Sequence, residues 1–349
     1  MKNIMVVFTG GTIGSMKQGS SIDVNDAGSY MIIDLFQQQY TSSSTFNTMQ
    51  PLNILSENLV ADQWINLAEQ LRAIDYSAID AIILTHGSDT LAYSAAMLSY
   101  LLGDIPVPLI LIASNYHLKD ERANGLRNFY NAVRWIEEGA SPGVFVIYEN
   151  NQNESILYLG SRIMQCESFT DQFRSPYDIV LGQLEDGVVK TTSVSNRITV
   201  SDIRPAAHPY LDQIQQLDKL VTDILYVKPY PGLNYELYSW PSNRRPTAIL
   251  HDLYHSGTAC ALTEGPYSLP QFIARCKEDN IAVYLCPVKS AEEAQYASTA
   301  TLIEAGAVLL EKIGMEAALT KLIIAYSLFR SEQEVKDFML QEQLYFERH

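Results

Sequence analysis

Basic residues are scarce in this chain: 24 lysines and arginines stand against 40 aspartates and glutamates, a formal net charge of −16 over 349 residues. That balance repels a phosphate backbone and leaves no basic stripe to follow one, so nucleic acid is not expected as a partner. Cysteine is sparse as well. Cys166, Cys260, Cys276 and Cys286 are scattered without a Cys-x-x-Cys pair, which argues against a zinc site and a dense disulfide framework. Long apolar runs are also missing. Val107 to Ala113 is among the longest and falls far short of the ~20 residues needed to span a bilayer, so no membrane insertion is expected. Met1 leads straight into Ile4-Met5-Val6-Val7-Phe8, with no signal-peptide apolar region or small-residue cleavage site, so residence in the cytoplasm is expected.

What is present is an ordinary globular composition on a chain longer than one hydrophobic core usually supports, so two lobes are expected. Short apolar runs at Asn3–Thr9, Ala81–Thr85, Leu109–Ala113 and Val144–Tyr148 read as strands. Between them Ala61–Ile74, Thr90–Leu102 and Gly125–Glu138 carry apolar residues at helical spacing. Strands alternating with helices predict an α/β fold: a larger N-terminal doubly wound, flavodoxin-like parallel sheet. Ser155–Ser161 alternates like a hairpin strand and Val188–Thr199 is rich in valine and threonine, so antiparallel strands are expected to extend that sheet. Periodicity fades from Arg204 to Pro209. The expected division is a catalytic domain over 1–203, a linker over 204–217, and a smaller C-terminal α/β domain over 218–349. The second lobe's strands begin with Ile224–Val227, Thr247–Leu250 and Ala282–Pro287, and helices follow from Ser298. Tyr235, Tyr238 and Trp240 suit a core or a subunit contact better than a ligand cage.

Open parallel sheets bind ligands beyond the carboxyl ends of their strands, and two such ends are unusual here. The first reads Phe8-Thr9-Gly10-Gly11-Thr12-Ile13-Gly14-Ser15, whose glycines permit a sharp bend and leave backbone N–H groups facing a ligand. The second reads Thr85-His86-Gly87-Ser88-Asp89-Thr90-Leu91-Ala92-Tyr93, where Ser88, Asp89 or Thr90 could equally cap the next helix. A nucleotide loop is a competing reading of the first bend. No Gly-Lys-Ser or Gly-Lys-Thr follows it, however, and Gly10, Gly11 and Gly14 miss the dinucleotide spacing. No Gly-x-Ser-x-Gly elbow occurs, and His251 and His255 lack the glutamate arrangement of zinc proteases.

The pair of bends, about seventy residues apart, closely resembles the two signature motifs of the bacterial-type L-asparaginase family, nearest its cytoplasmic type I group. Further similarity runs through Leu55-Ser56-Glu57, Gly125–Ala132, Pro229-Tyr230-Pro231-Gly232, His255-Ser256-Gly257-Thr258 and Ala318-Leu319-Thr320-Lys321-Leu322. The resemblance implies an amidohydrolase that turns L-asparagine, or alternatively L-glutamine, into the acid and ammonia through a threonine acyl-enzyme. It implies no metal or organic cofactor, and a homodimer or homotetramer. By position, Thr12 matches the nucleophile, Ser88 and Asp89 the Thr-Asp pair of the second motif, and Tyr30 the tyrosine that activates Thr12. Ser56 and Glu57 match the loop that holds the substrate's α-carboxylate and α-amine. Gly11, Gly87 and Ser114, at strand ends, complete the substrate-binding set. A threonine hydroxyl is a poor nucleophile at neutral pH, so the chemistry needs a neighbouring proton acceptor and N–H donors for the oxyanion.

One position departs from the family. The lysine that acts there with the Thr-Asp pair should fall within Leu159-Gly160-Ser161-Arg162-Ile163-Met164-Gln165-Cys166, and alignment puts either Gln165 or Met164 in its place. A glutamine cannot carry a proton as an ammonium does, and such groups are worth about 10²–10⁴-fold in rate. A second reading therefore stands beside the first: a degenerate member that binds a small amino acid with weak or no turnover. The family's amidotransferase subunits usually carry an extra N-terminal domain, and a chain that starts directly at its first strand is not expected to be one.

Overall fold

The computed structural model describes residues 1–11, 13, 15–18, 21–24, 30–191, 198–204, 208–241, 243–290 and 296–349. Two compact units divide between Gln216 and Leu217. The first is built on an eight-stranded sheet. In chain order its strands are β1 (Asn3–Phe8), β4 (Thr45–Met49), β5 (Ala81–Thr85), β6 (Pro108–Ile112), β7 (Gly143–Glu149), β8 (Ser155–Leu159), β11 (Gly182–Glu185) and β12 (Val188–Lys190). Two hairpins lie outside it: β2 (Ser15–Gln18) with β3 (Ser21–Val24), and β9 (Met164–Glu167) with β10 (Gln172–Arg174).

The spatial order is β12-β11-β8-β7-β6-β5-β1-β4. Its first five strands in sequence are parallel, with β1 between β4 and β5 and with β6 and β7 beyond. That is the flavodoxin-like 2-1-3-4-5 order, as expected from the sequence. β8, β11 and β12 then join antiparallel, each to its neighbour. Every residue of β5, β6 and β7 is buried, which is why they read as continuous apolar runs. The valine- and threonine-rich stretch over 188–199 contributes only the three residues of β12, and 192–197 lie outside the described residues.

Among the described residues four helices accompany these strands: α1 (Met31–Gln39), α2 (Ala61–Arg72), α3 (Leu91–Leu101) and α4 (Gly125–Glu137). α3 is buried almost all round, whereas α4 presents an apolar stripe of Phe129, Ala132, Val133 and Ile136, the mark of a half-exposed helix. Asn128 of α4, fully buried, donates to the Ala113 carbonyl at 2.9 Å and accepts from the Glu149 N–H at 2.7 Å. The ends of β6 and β7 thus keep their backbone groups paired where the strands separate. A short α5 (Leu211–Gln215) ends this unit.

The second unit holds β13 (Ile224–Val227), β14 (Ala248–Asp252), β15 (Ala282–Val288) and β16 (Val308–Glu311), parallel and in sequential order. α6 (Leu269–Glu278), α7 (Ala297–Glu304), α8 (Met315–Leu328) and α9 (Glu332–Gln341) accompany them. Tyr235 is core here: it stacks on Phe272 with ring centroids 5.0 Å apart, and its hydroxyl meets His251 Nε2 at 2.8 Å. Tyr238 and Trp240 pack against the same cluster. Among the described residues, no helix is long and apolar enough to cross a membrane.

The C-terminal segment is held by a buried ion pair. Lys321 Nζ lies 2.8 Å from Glu347 Oε1, with both side chains fully buried, and it also donates to the Glu342 carbonyl. Glu347 accepts from the N–H groups of Leu344 and Tyr345. Burial pushes its carboxyl up, yet the Lys321 charge and these hydrogen bonds bring it below the ordinary carboxylate range. Removing one partner strands the other, so Lys321→Ala should cost about 3–5 kcal/mol. A paired Lys321→Met, Glu347→Leu variant should lose much less. Urea denaturation of both measures the difference, and equal losses would refute the pairing.

Candidate active site

In a 2-1-3-4-5 sheet the connections leave β1 and β5 toward opposite edges, opening a crevice at their carboxyl ends. Both glycine bends begin there. Where the strands stop, Thr9 Oγ1 donates to the Thr85 carbonyl at 2.8 Å, a buried side-chain bond continuing the pairing. On the other flank Gly11 N–H donates to the Ile54 carbonyl at 2.9 Å, and Ile54 N–H to the Thr9 carbonyl at 3.1 Å.

The bends themselves touch backbone to backbone. Gly11 has φ +71°, and a Cβ placed on it would lie 2.6 Å from Gly87 N and 2.8 Å from Gly87 Cα. A Cβ on Gly87 would in turn fall 2.3 Å from Ser56 Oγ. Glycine is therefore required at both positions by contact, and at Gly11 also by φ. Gly11, Gly87 and Ser56, drawn from three separate stretches of sequence, meet at one point.

Ser56 is buried at the start of a single 3₁₀ turn (Ser56–Asn58), and Glu57 beside it is exposed. Ser88 is half-buried and Asp89 exposed on the second bend. Thr90 is the N-cap of α3, but its hydroxyl makes no cap; it donates instead to the Ser56 carbonyl at 3.0 Å. The helix-cap reading of this motif thus gives way to a bridge between the second bend and the Ser56 turn. No acceptor for the Gly87 or Ser88 N–H is found among the described residues. Together with the positive end of α3, these N–H groups make a surface that favours an anion.

The other predicted residues are placed as follows. Tyr30 precedes α1, is about half exposed, and sets its ring edge-on to Phe8, the last residue of β1, at 5.5 Å. Ser114 is buried after β6, where its hydroxyl donates to the Tyr116 carbonyl and accepts from the Gly125 N–H at 3.1 Å. Its hydroxyl proton is therefore used in shaping that turn. Gln165 Nε2 donates to the Asp89 carbonyl, so of the two alignments the glutamine is the one that meets the second bend. Arg162 is buried in the 3₁₀ turn Gly160–Arg162. Thr12 and Gly14 lie outside the described residues.

Comparison with known proteins follows the same lines. Residues 3–196, more than half of the sequence, match the family described as Asparaginase, N-terminal. The chain belongs to the asparaginase family. The thermostable L-asparaginase from Thermococcus kodakarensis superposes with a TM-score of 0.76 over 99% of both chains at 20% identity. L-asparaginase I from Vibrio cholerae does so at 0.74, over 98% of both chains at 23% identity. At such identities the likeness is one of fold. A glutamyl-tRNA(Gln) amidotransferase subunit from Methanococcus vannielii is 26% identical over 256 residues, covering 72% of this chain and 58% of that protein. The asparaginase-family chain thus spans little more than half the length of that relative.

Beside these backbone N–H groups, the side chains of the second bend in this asparaginase-family chain carry no positive charge. His86 is buried with Nδ1 2.8 Å from the Gly87 carbonyl, and burial lowers its pKa, so the ring stays uncharged at neutral pH. Asp89 forms no ion pair among the described residues. Among the described residues no three His, Cys, Asp or Glu side chains gather into a metal-binding group.

The Gly87–Ser56 contact is directly testable. Gly87→Ala should destabilise by about 1–3 kcal/mol through overpacking. Most of that should return in a Ser56→Gly background, where the clashing side chain is gone. Denaturation of the four variants gives the coupling energy; additive losses would show that the two residues do not meet.

Proposed function

We propose that the chain is a cytoplasmic amidohydrolase that cleaves L-asparagine to L-aspartate and ammonia through an acyl-enzyme on Thr12. The observation that carries this reading is the Gly11–Gly87 contact, because it sets the residue before Thr12 against the residue before Ser88. Family membership supplies the amide-cleaving chemistry.

In the reaction, the Thr12 oxygen bonds to the side-chain carboxamide carbon while its proton passes to a neighbouring base, a role that falls to Tyr30. Backbone N–H groups of the bends hold the oxyanion. The C–N bond then breaks and ammonia leaves carrying a proton. Water attacks the resulting ester, the C–O bond to Thr12 breaks, and the hydroxyl is restored. Asp89 and Glu57 receive the substrate's ammonium, while Ser56 and adjacent N–H groups receive its α-carboxylate, so charge pairing at both groups orients a small amino acid. A homodimer or homotetramer belongs to the same reading.

The likeness to a protein named as an amidotransferase subunit favours one second reading, in which the ammonia serves a partner protein rather than being released. A coupled ammonia assay on the purified chain, run with L-asparagine, L-glutamine and their D-forms, separates the two. Free turnover of L-asparagine is expected, and Thr12→Ala should lower it by at least about 10³-fold. Unchanged activity in Thr12→Ala would overturn the nucleophile. Turnover that appears only when a partner is added would favour the second reading.

A further inference from the structure

We propose that Thr90 is a positioning residue: its hydroxyl holds the Ser56–Glu57 turn against the second bend and thereby sets how tightly the crevice grips its amino acid. The inference rests on the amidase reading above, which gives Ser56 and Glu57 to the ammonium and carboxylate on the ligand's α-carbon.

Ser56 stands at the crevice itself, since a Cβ on Gly87 would run into its side chain while Gly11 packs on Gly87 from the other bend. Its carbonyl oxygen takes two hydrogen bonds. The Leu59 N–H donates at 3.1 Å and closes the 3₁₀ turn Ser56–Asn58. The Thr90 hydroxyl donates at 3.0 Å and ties that turn to the start of α3. Without the second bond the turn keeps its shape and loses its tie.

The flanks of the turn are fixed independently. Upstream, the Ile54 N–H donates to the Thr9 carbonyl at 3.1 Å and its carbonyl accepts from the Gly11 N–H at 2.9 Å, both on the first bend. Downstream, Trp64 of α2 donates its indole N–H to Ser94 Oγ at 2.9 Å, and both side chains are buried. Ser94 lies one helical turn beyond Thr90, to whose carbonyl its N–H donates at 3.0 Å, so one face of α3 meets the segment twice. The Trp64–Ser94 contact anchors helix to helix; the Thr90–Ser56 contact aims the turn. Nor does Thr90 serve its own helix, because its side chain makes no cap. A valine there keeps the branched shape, sacrifices no cap and removes one donor.

Loss of the tie lets Ser56 and Glu57 drift from the second bend, so the effect falls on binding. Every ligand with the same ammonium and α-carboxylate weakens by the same factor, while the step at the amide carbon, assigned to other residues, is spared. The net worth of one hydrogen bond corresponds to about three- to tenfold in a binding constant.

The test reads kcat and KM for L-asparagine, and the inhibition constant of L-aspartate, in wild type, Thr90→Val and Thr90→Ser. The inhibition constant is an equilibrium quantity, so it reports binding whichever step limits turnover. Thr90→Val should raise KM and the inhibition constant together by about three- to tenfold and leave kcat within about twofold. Thr90→Ser keeps the donor, and both constants should stay near wild type. A folded Thr90→Val with both constants unmoved, L-asparagine still being a substrate, would overturn this proposal alone. Loss of the fold in Thr90→Val, read by circular dichroism, would overturn it too, because the flanks would then not hold the segment by themselves. Failure of wild type to bind or turn over either amino acid would remove the amidase reading and this inference with it.

Discussion

Everything at the candidate site depends on a place where two backbones meet with no side chain between them. Gly11 and Gly87 occupy the crevice that the 2-1-3-4-5 strand order opens between β1 and β5, and an added Cβ on Gly11 would overlap the Gly87 backbone. Topology supplies the crevice; glycine lets the two walls close on it. Ser56 enters the same point from a third stretch of chain, and Thr90 fastens that stretch by its carbonyl. A signature split across some eighty residues is thereby folded into a few ångströms.

The charge pattern follows the same economy of space. A buried imidazole is kept neutral beside Gly87, α3 begins directly after the second bend, and Glu57 and Asp89 are exposed. The overall charge of −16 does not favour a polyanion. In the second unit the buried Lys321–Glu347 pair ties the terminal segment to α8.

Much of this is legible in the residues. β5 matches its expected span, and β1, β6 and β7 fall within a residue of theirs, because buried central strands are continuous apolar runs. β4 is hidden from such a reading because it is an edge strand: Thr-Phe-Asn-Thr-Met leaves most of its residues outside the core and carries little apolar pattern. β16 is only four residues long and is masked by the helices expected on either side of it. α6 does carry a start signal, Ser268 followed by Pro270, that apolar periodicity alone passes over. At the site, the two glycine bends are visible as motifs, but the partner of Thr90 is not. A threonine before a helix looks the same whether it caps that helix or reaches across to Ser56. The choice between Met164 and Gln165 likewise needs coordinates, since a one-residue shift in register is invisible to spacing alone.

The central claim is that these bends bring a threonine oxygen to an amide carbon. Intact-protein mass spectrometry after incubation with a slow-reacting electrophilic analogue of asparagine, followed by peptide mapping, tests it most directly. The account predicts a single covalent adduct on the peptide that contains Thr12, suppressed by excess L-aspartate. Labelling confined to another residue, or no adduct from a chain that turns over asparagine, would contradict it.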